Sequence, residues 1–145
     1  MMKKPNSVPW LCLALIGAFF SLFASPLQAA GQEIKPLKEW RGRMEQALQW
    51  THPARGFLIN QEEVDRLWAA WQISDKPAVD FKTQLLLVGT CTCSHITLHP
   101  RLDDKGDLTV GVTMTKDLRE DAAYVIFLVP RQGVRTIKGK PFEAY

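Results

Sequence analysis

The chain has 145 residues, with 18 Lys and Arg against 15 Asp and Glu, three His and a formal net charge of +3. Hydrophobic residues make up 46% and charged residues 23%, a balance that suits a packed globular core and excludes a disordered or fibrous chain. Excess positive charge is slight, so a nucleic-acid partner, which needs a clustered basic face, is not expected.

The first thirty residues read as a secretory signal peptide. Lys3 and Lys4 open the chain, an uncharged apolar stretch runs from Val8 to Phe23, and Ser25-Pro26-Leu27-Gln28-Ala29-Ala30 follows with the small residues a signal peptidase cuts behind. The apolar core is shorter than the roughly 20 residues a spanning helix needs, so cleavage after Ala29 or Ala30 is expected rather than a retained anchor. Cys12 lies inside the apolar run, which argues against a lipid-modified terminus. The mature chain is therefore expected to be exported, periplasmic or extracellular, with no membrane attachment after cleavage. Without Lys3 and Lys4 its 16 basic and 15 acidic residues leave a net charge of +1. The organisation expected is a signal peptide over 1–30, a flexible lead-in over 31–36 and one domain over 37–145.

Leu37 to Trp50 supports two readings. Leu37, Trp40, Met44, Ala47 and Leu48 fit a helical stripe, whereas Gly42 argues for an extended start at Trp40-Arg41-Gly42-Arg43 followed by a helical turn. Thr51-His52-Pro53 breaks either one. The strongest element begins at Asn60. Asn60 is an N-cap, Glu63 completes a capping box, Ile59 and Val64 stand at the positions of a hydrophobic staple, and Glu62 and Glu63 complement the helix dipole. Val64, Leu67, Trp68 and Trp71 form one apolar face, which predicts a helix from Gln61 to about Ile73.

Beyond Pro77 the period becomes that of strands. Asp80 before Phe81 is expected to cap a turn, with Phe81 plugging the core. Gln84–Thr90, the Ile96 and Leu98 segment, Leu108–Met114 and Val134–Ile137 are strand candidates. Asp103-Asp104-Lys105-Gly106 is a turn. Ala122 to Val129 is almost continuously apolar, as expected of a central strand covered on both faces. Arg131, Arg135, Lys138 and Lys140 suit a solvated edge, where charge blocks aggregation. The fold class expected is α+β: an antiparallel β meander of four to six strands with one amphipathic helix packed on it.

Trp40-Arg41-Gly42-Arg43, Gly56-Phe57-Leu58-Ile59, Leu67-Trp68 with Trp71, Val79-Asp80-Phe81 and Leu85-Leu86-Leu87-Val88, continued by Asp103 to Leu108, Tyr124 and Arg131-Gln132-Gly133-Val134, give the chain a resemblance to the PrcB C-terminal-domain-like group. That group takes its name from an accessory subunit of a bacterial surface protease complex, and its members are mostly uncharacterised secreted bacterial proteins. The resemblance covers roughly Trp40 to Gly139. It implies a non-enzymatic domain, accessory to another exported protein, and it supplies no catalytic residues.

One segment has chemistry of its own. Cys91-Thr92-Cys93-Ser94-His95, with His99 four residues on, departs from the family pattern. On an extended strand Cys91, Cys93, His95 and His99 share one face. Two thiolates and imidazole suit Zn(II) or Cu(I), although residues two apart on a flat strand are roughly 6.5–7 Å apart at Cα, so the strand must bend to hold one metal. An oxidising compartment favours a Cys91–Cys93 disulfide instead. Incidental free thiols and a thiol oxidoreductase are the remaining readings; the last lacks a helix N-terminus to activate the sulfur. Other catalytic templates fail: there is no phosphate loop and no G-x-S-x-G, His52 has no neighbouring nucleophile, and Glu62 and Glu63 are accounted for by capping. The function expected is thus a non-catalytic interaction or accessory module with no required cofactor. The alternatives are a soft-metal (Zn or Cu) binder and a thiol oxidoreductase.

Overall fold

A computed structural model describes residues 31–142; the expected signal peptide lies outside them. The described elements are β1 (Gln32–Glu33), β2 (Lys38–Glu45), a 3-10 helix (Gln46–Thr51), β3 (Phe57–Leu58), α1 (Gln61–Trp71), β4 (Gln84–Cys91), β5 (Ile96–Leu102), β6 (Asp107–Met114), β7 (Asp121–Pro130), β8 (Thr136–Ile137) and β9 (Lys140–Pro141). The α+β class is as expected. The strands divide between two sheets, one in the order β2-β7-β4-β3 and one in the order β1-β5-β6-β8-β9. α1 covers the first sheet on one face, and the second sheet covers it on the other.

β7 is the reason for three layers. Its even residues Ala122, Tyr124, Ile126 and Leu128 pack with Val64, Leu67, Trp68 and Trp71 of α1. Its odd residues Ala123, Val125, Phe127 and Val129 pack with Ile96, Leu98 and Leu108 of the second sheet. A strand apolar on both faces needs two apolar neighbours, because side chains alternate across it. β4 shares this pattern and pairs antiparallel with β7 from Gln84↔Pro130 to Cys91↔Ala123. Consecutive strands therefore do not all pair: the chain leaves the helix-covered sheet after β4, forms the β5–β6 hairpin, and returns as β7 between β2 and β4.

Trp40 to Arg43 is extended, as the strand-first reading of Leu37–Trp50 requires. Gly42 stands opposite Tyr124 in the β2–β7 register. A Cβ at Gly42 would lie 2.5 Å from the Tyr124 hydroxyl oxygen and 2.7 Å from two of its ring carbons, so the bare backbone is the surface on which that ring lies. The Tyr124 ring also packs on Trp71 at 5.3 Å between centroids.

α1 starts as its sequence predicts. Asn60 Oδ1 accepts the Glu63 N–H at 2.9 Å. The Glu63 carboxylate accepts the N–H of Ile59 at 2.9 Å, one residue outside the usual capping box, and pairs with Arg55. Ile59 and Val64 belong to different core clusters, so Glu63 and Arg55, rather than an apolar staple, fix the entry to the helix. The helix closes two residues before Ile73, where Gln72 takes a left-handed conformation (φ 52°) and the Ile73 N–H bonds the Trp68 carbonyl. Asp80 caps its turn, accepting from the Lys82 N–H at 3.0 Å and the Thr83 hydroxyl at 2.9 Å. The basic residues near the C-terminus do not share one strand. Arg131 donates to the Phe81 carbonyl at 2.6 Å and lies 3.8 Å over the Phe142 ring, whereas Lys138 and Lys140 are exposed.

Candidate functional site

The Cys91–His95 segment is the corner at which the chain passes from one sheet to the other. Cys91 ends β4, Thr92 to Ser94 bend, and β5 begins at Ile96. Cys91 and Cys93 are joined as a disulfide with Cα atoms 5.2 Å apart, shorter than the repeat of a flat strand and possible only because the backbone bends. Both cysteines are buried, at 8% and 3% exposure, in the core between the sheets.

Polar side chains hold the outside of this corner. Arg43, from β2, donates to the Cys93 carbonyl at 3.4 Å and the Ser94 carbonyl at 3.3 Å, and grips Asp121 with two nitrogens. Asp117 accepts the Ser94 N–H at 3.0 Å together with the hydroxyls of Ser94 and Thr115. The Arg119 N–H bonds the Thr92 carbonyl at 3.0 Å. Arg41 donates to the Ile96 carbonyl at 2.5 Å. The hydrogen bond from Arg43 holds the Asp121 carboxyl down to about 2 from its ordinary 3.8 and raises the Arg43 guanidinium in return. Hydrogen bonds from Ser94, then Thr115, hold Asp117 far below the same value. These charges bind backbone and one another, as structural ties do.

The bend changes the expected alternation. Cys91 and Cys93 face the core, whereas His95 is exposed, with Nε2 3.1 Å from the Thr97 hydroxyl. His99 lies on the outer face with Nε2 3.0 Å from the Thr113 hydroxyl and Nδ1 3.8 Å from the Glu33 carboxylate. The four residues expected to share one face, Cys91, Cys93, His95 and His99, are therefore split between core and solvent. Among the described residues no group of three or more His, Cys, Asp and Glu side chains converges as a metal site. With the sulfurs bonded to each other and buried, the corner presents neither a thiolate ligand nor an accessible nucleophile.

A second feature lies in β6 and is invisible to motif reading. Along the β5–β6 hairpin, the backbone bonds from Asp103 N–H to the Asp107 carbonyl and from Thr115 N–H to the His95 carbonyl set the odd residues of β6 facing β5. The even residues point their N–H and C=O groups the other way. Leu108 uses its carbonyl to accept the Lys138 N–H at 3.0 Å, and β8 pairs with β6 only at Asp107 and Leu108. Past that point, among the described residues, no strand pairs with the backbone of Val110, Val112 and Met114. Their side chains lie on the inward face of the sheet, where Val112 and Met114 remain 49% and 51% exposed. Next to Val110 and Val112 is a small cleft of about 70 Å³ whose lining is mainly apolar, with Phe57, Val88, Leu98 and Ile137, but includes Arg55 and Lys138. The sequence signal available was negative: no charged residue or proline occurs from Leu108 to Thr115.

Fold and site together define a three-layer α+β domain with a disulfide-closed corner and an open strand edge. Among the described residues, no helix is long and apolar enough to cross a membrane. In comparisons with known proteins, no family model, no curated protein and no solved structure matches the chain.

Proposed function

We propose that this chain is an exported, non-catalytic interaction module that works by strand pairing along β6. The observation that carries the reading is the contrast between its sheet edges. β1, β3, β8 and β9 are two residues long, and β2 carries Lys38, Glu39, Arg41, Arg43 and Glu45. Short strands and charges are how sheets avoid unwanted pairing. The free part of β6, from Val110 to Met114, is longer than those two-residue edges and carries no charge of its own, and its alternate apolar side chains lie beside a cleft of mainly apolar residues that also takes in Arg55 and Lys138. Addition of an extended segment to such an edge is a recurrent mode of recognition, with main-chain bonds giving affinity and alternate side chains giving specificity. The resemblance to accessory, non-enzymatic secreted domains agrees with this reading, and so does the use of the Arg43, Asp117 and Asp121 charges as ties at the corner.

The test is the size of the protein in its native exported fraction. The wild-type chain should migrate in an assembly larger than its own mass, and Val112→Lys should migrate at its own mass. A wild-type chain that runs as a monomer both there and when purified and concentrated overturns the reading.

A further inference from the structure

We infer that the loop from Thr115 to Glu120 is an inhibitory loop, which presents Leu118 to the apolar specificity pocket of a serine endopeptidase. This surface is separate from the β6 edge, so the inference goes beyond the strand-pairing reading. Leu118 is 86% exposed, the most exposed large hydrophobic residue among those described, and it belongs to neither core cluster. One exposed leucine needs no explanation by itself. The fixing of the chain on both sides of it does. Ahead of Leu118, the Thr115 N–H bonds the His95 carbonyl at 3.0 Å, and the Asp117 carboxylate turns back to accept the Ser94 N–H at 3.0 Å and the hydroxyls of Ser94 and Thr115. Behind it, the Arg119 N–H bonds the Thr92 carbonyl at 3.0 Å, and β7 begins at Asp121. The ties run to Thr92, Ser94 and His95, at the corner that the Cys91–Cys93 disulfide closes. By contrast, the backbone N–H and C=O groups of Lys116 and Leu118 have no partner among the described residues.

A serine endopeptidase reads an extended segment in two ways. One side chain fills the specificity pocket, and the backbone on alternate residues pairs with the enzyme while the scissile carbonyl enters the oxyanion hole. Leu118 offers the side chain, and Leu118 with Lys116 offers the alternate backbone groups. Attack by the serine oxygen on the Leu118 carbonyl carbon forms an ester, breaks the bond to the Arg119 nitrogen and passes the serine proton through the enzyme's histidine to that nitrogen. Exposed loop tips are ordinarily nicked, because the new amine leaves and water hydrolyses the ester. Here the Arg119 nitrogen is held at Thr92 and the acyl side is held at Ser94 through Asp117. The amine attacks the ester, the peptide bond forms again and the proton returns to the serine oxygen. A loop fixed beforehand also loses little conformational entropy on binding, which favours a long-lived complex.

Inhibition of chymotrypsin and subtilisin by the purified mature protein tests this, read as hydrolysis of a small chromogenic peptide, with the mass of the chain followed in the same mixture. At least one of the two enzymes should be inhibited while the Leu118–Arg119 bond stays largely intact. Leu118→Gly should keep the wild-type melting temperature and weaken inhibition by about 30-fold or more, the loss expected of a central anchor. Leu118→Arg should move the inhibition to trypsin. Asp117→Ala, freed on one side, should be cut at Leu118–Arg119 faster than the wild type. A wild-type chain that inhibits neither enzyme, or that is cut at this bond as fast as a free peptide of the loop sequence, overturns the inference, as does inhibition that Leu118→Gly leaves intact. Such a failure does not touch the strand-pairing reading, which is scored by the mass of the native assembly and by Val112→Lys.

Discussion

Gly42 shows how one residue carries two meanings that only its neighbour separates. In the sequence it interrupts a helical stripe; in the fold it is the floor beneath Tyr124. Any side chain there drives the phenol ring off β2 and away from Trp71, whose indole N–H bonds the Leu48 carbonyl at 3.0 Å and the Thr51 hydroxyl at 2.8 Å. Overpacking of this kind costs about 1–3 kcal/mol. Gly42→Ala should therefore lower unfolding stability by about that amount, read from denaturant midpoints at constant slope. Gly42→Ala with no measurable change would show that Tyr124 has somewhere else to go. Cysteine chemistry divides in the same way. The pair Cys91 and Cys93 was legible as a disulfide, a metal site, incidental thiols or a redox pair; the bend at Thr92–Ser94, which no periodicity reports, turns both sulfurs inward and leaves His95 and His99 outside.

Elements defined by local chemistry were legible almost to the residue. α1 starts at Gln61 because Asn60 accepts the Glu63 N–H, and both residues were readable as a cap. Asn60→Ala should cost about 1 kcal/mol, the ordinary loss of an N-cap, measured by thermal or chemical unfolding. Asn60→Asp, which keeps the acceptor, should restore most of it. Strand existence was also legible, from the apolar alternation of Ile96 and Leu98 and from the turn at Asp103–Gly106. Ile59 marks the boundary: the pattern predicts that it staples to Val64, but Ile59 packs in the other core and its N–H bonds the Glu63 carboxylate instead.

At the scale of the whole molecule, the sheets are joined at the disulfide corner through carboxylates that are ionised in the folded protein. Asp121 has its folded value lowered to about 2 by Arg43, and Asp117 is lowered further by Ser94 and Thr115. A carboxylate with a depressed folded value contributes stability that is whole above its unfolded value and is lost as pH falls through the folded one. Melting temperature should thus drop as pH falls from about 4 towards 2. In Asp117→Asn with Asp121→Asn, melting should begin lower and change less over the same range. Equal slopes in the two proteins would show that these carboxylates do not couple the corner to folding.

Local pattern alone told that this chain builds one α1 helix with a known start, several strands and a β7 covered on both faces. Those features depend on side-chain period and on hydrogen bonds between residues a few positions apart. Folding in three dimensions settled which sheet each strand joined, that Cys91 and Cys93 turn inward while His95 and His99 turn out, and that β6 is left with an open edge. Each of these is a relation between segments distant in the chain, set by which apolar face finds cover and which backbone groups find partners, and no stretch of residues encodes it by itself.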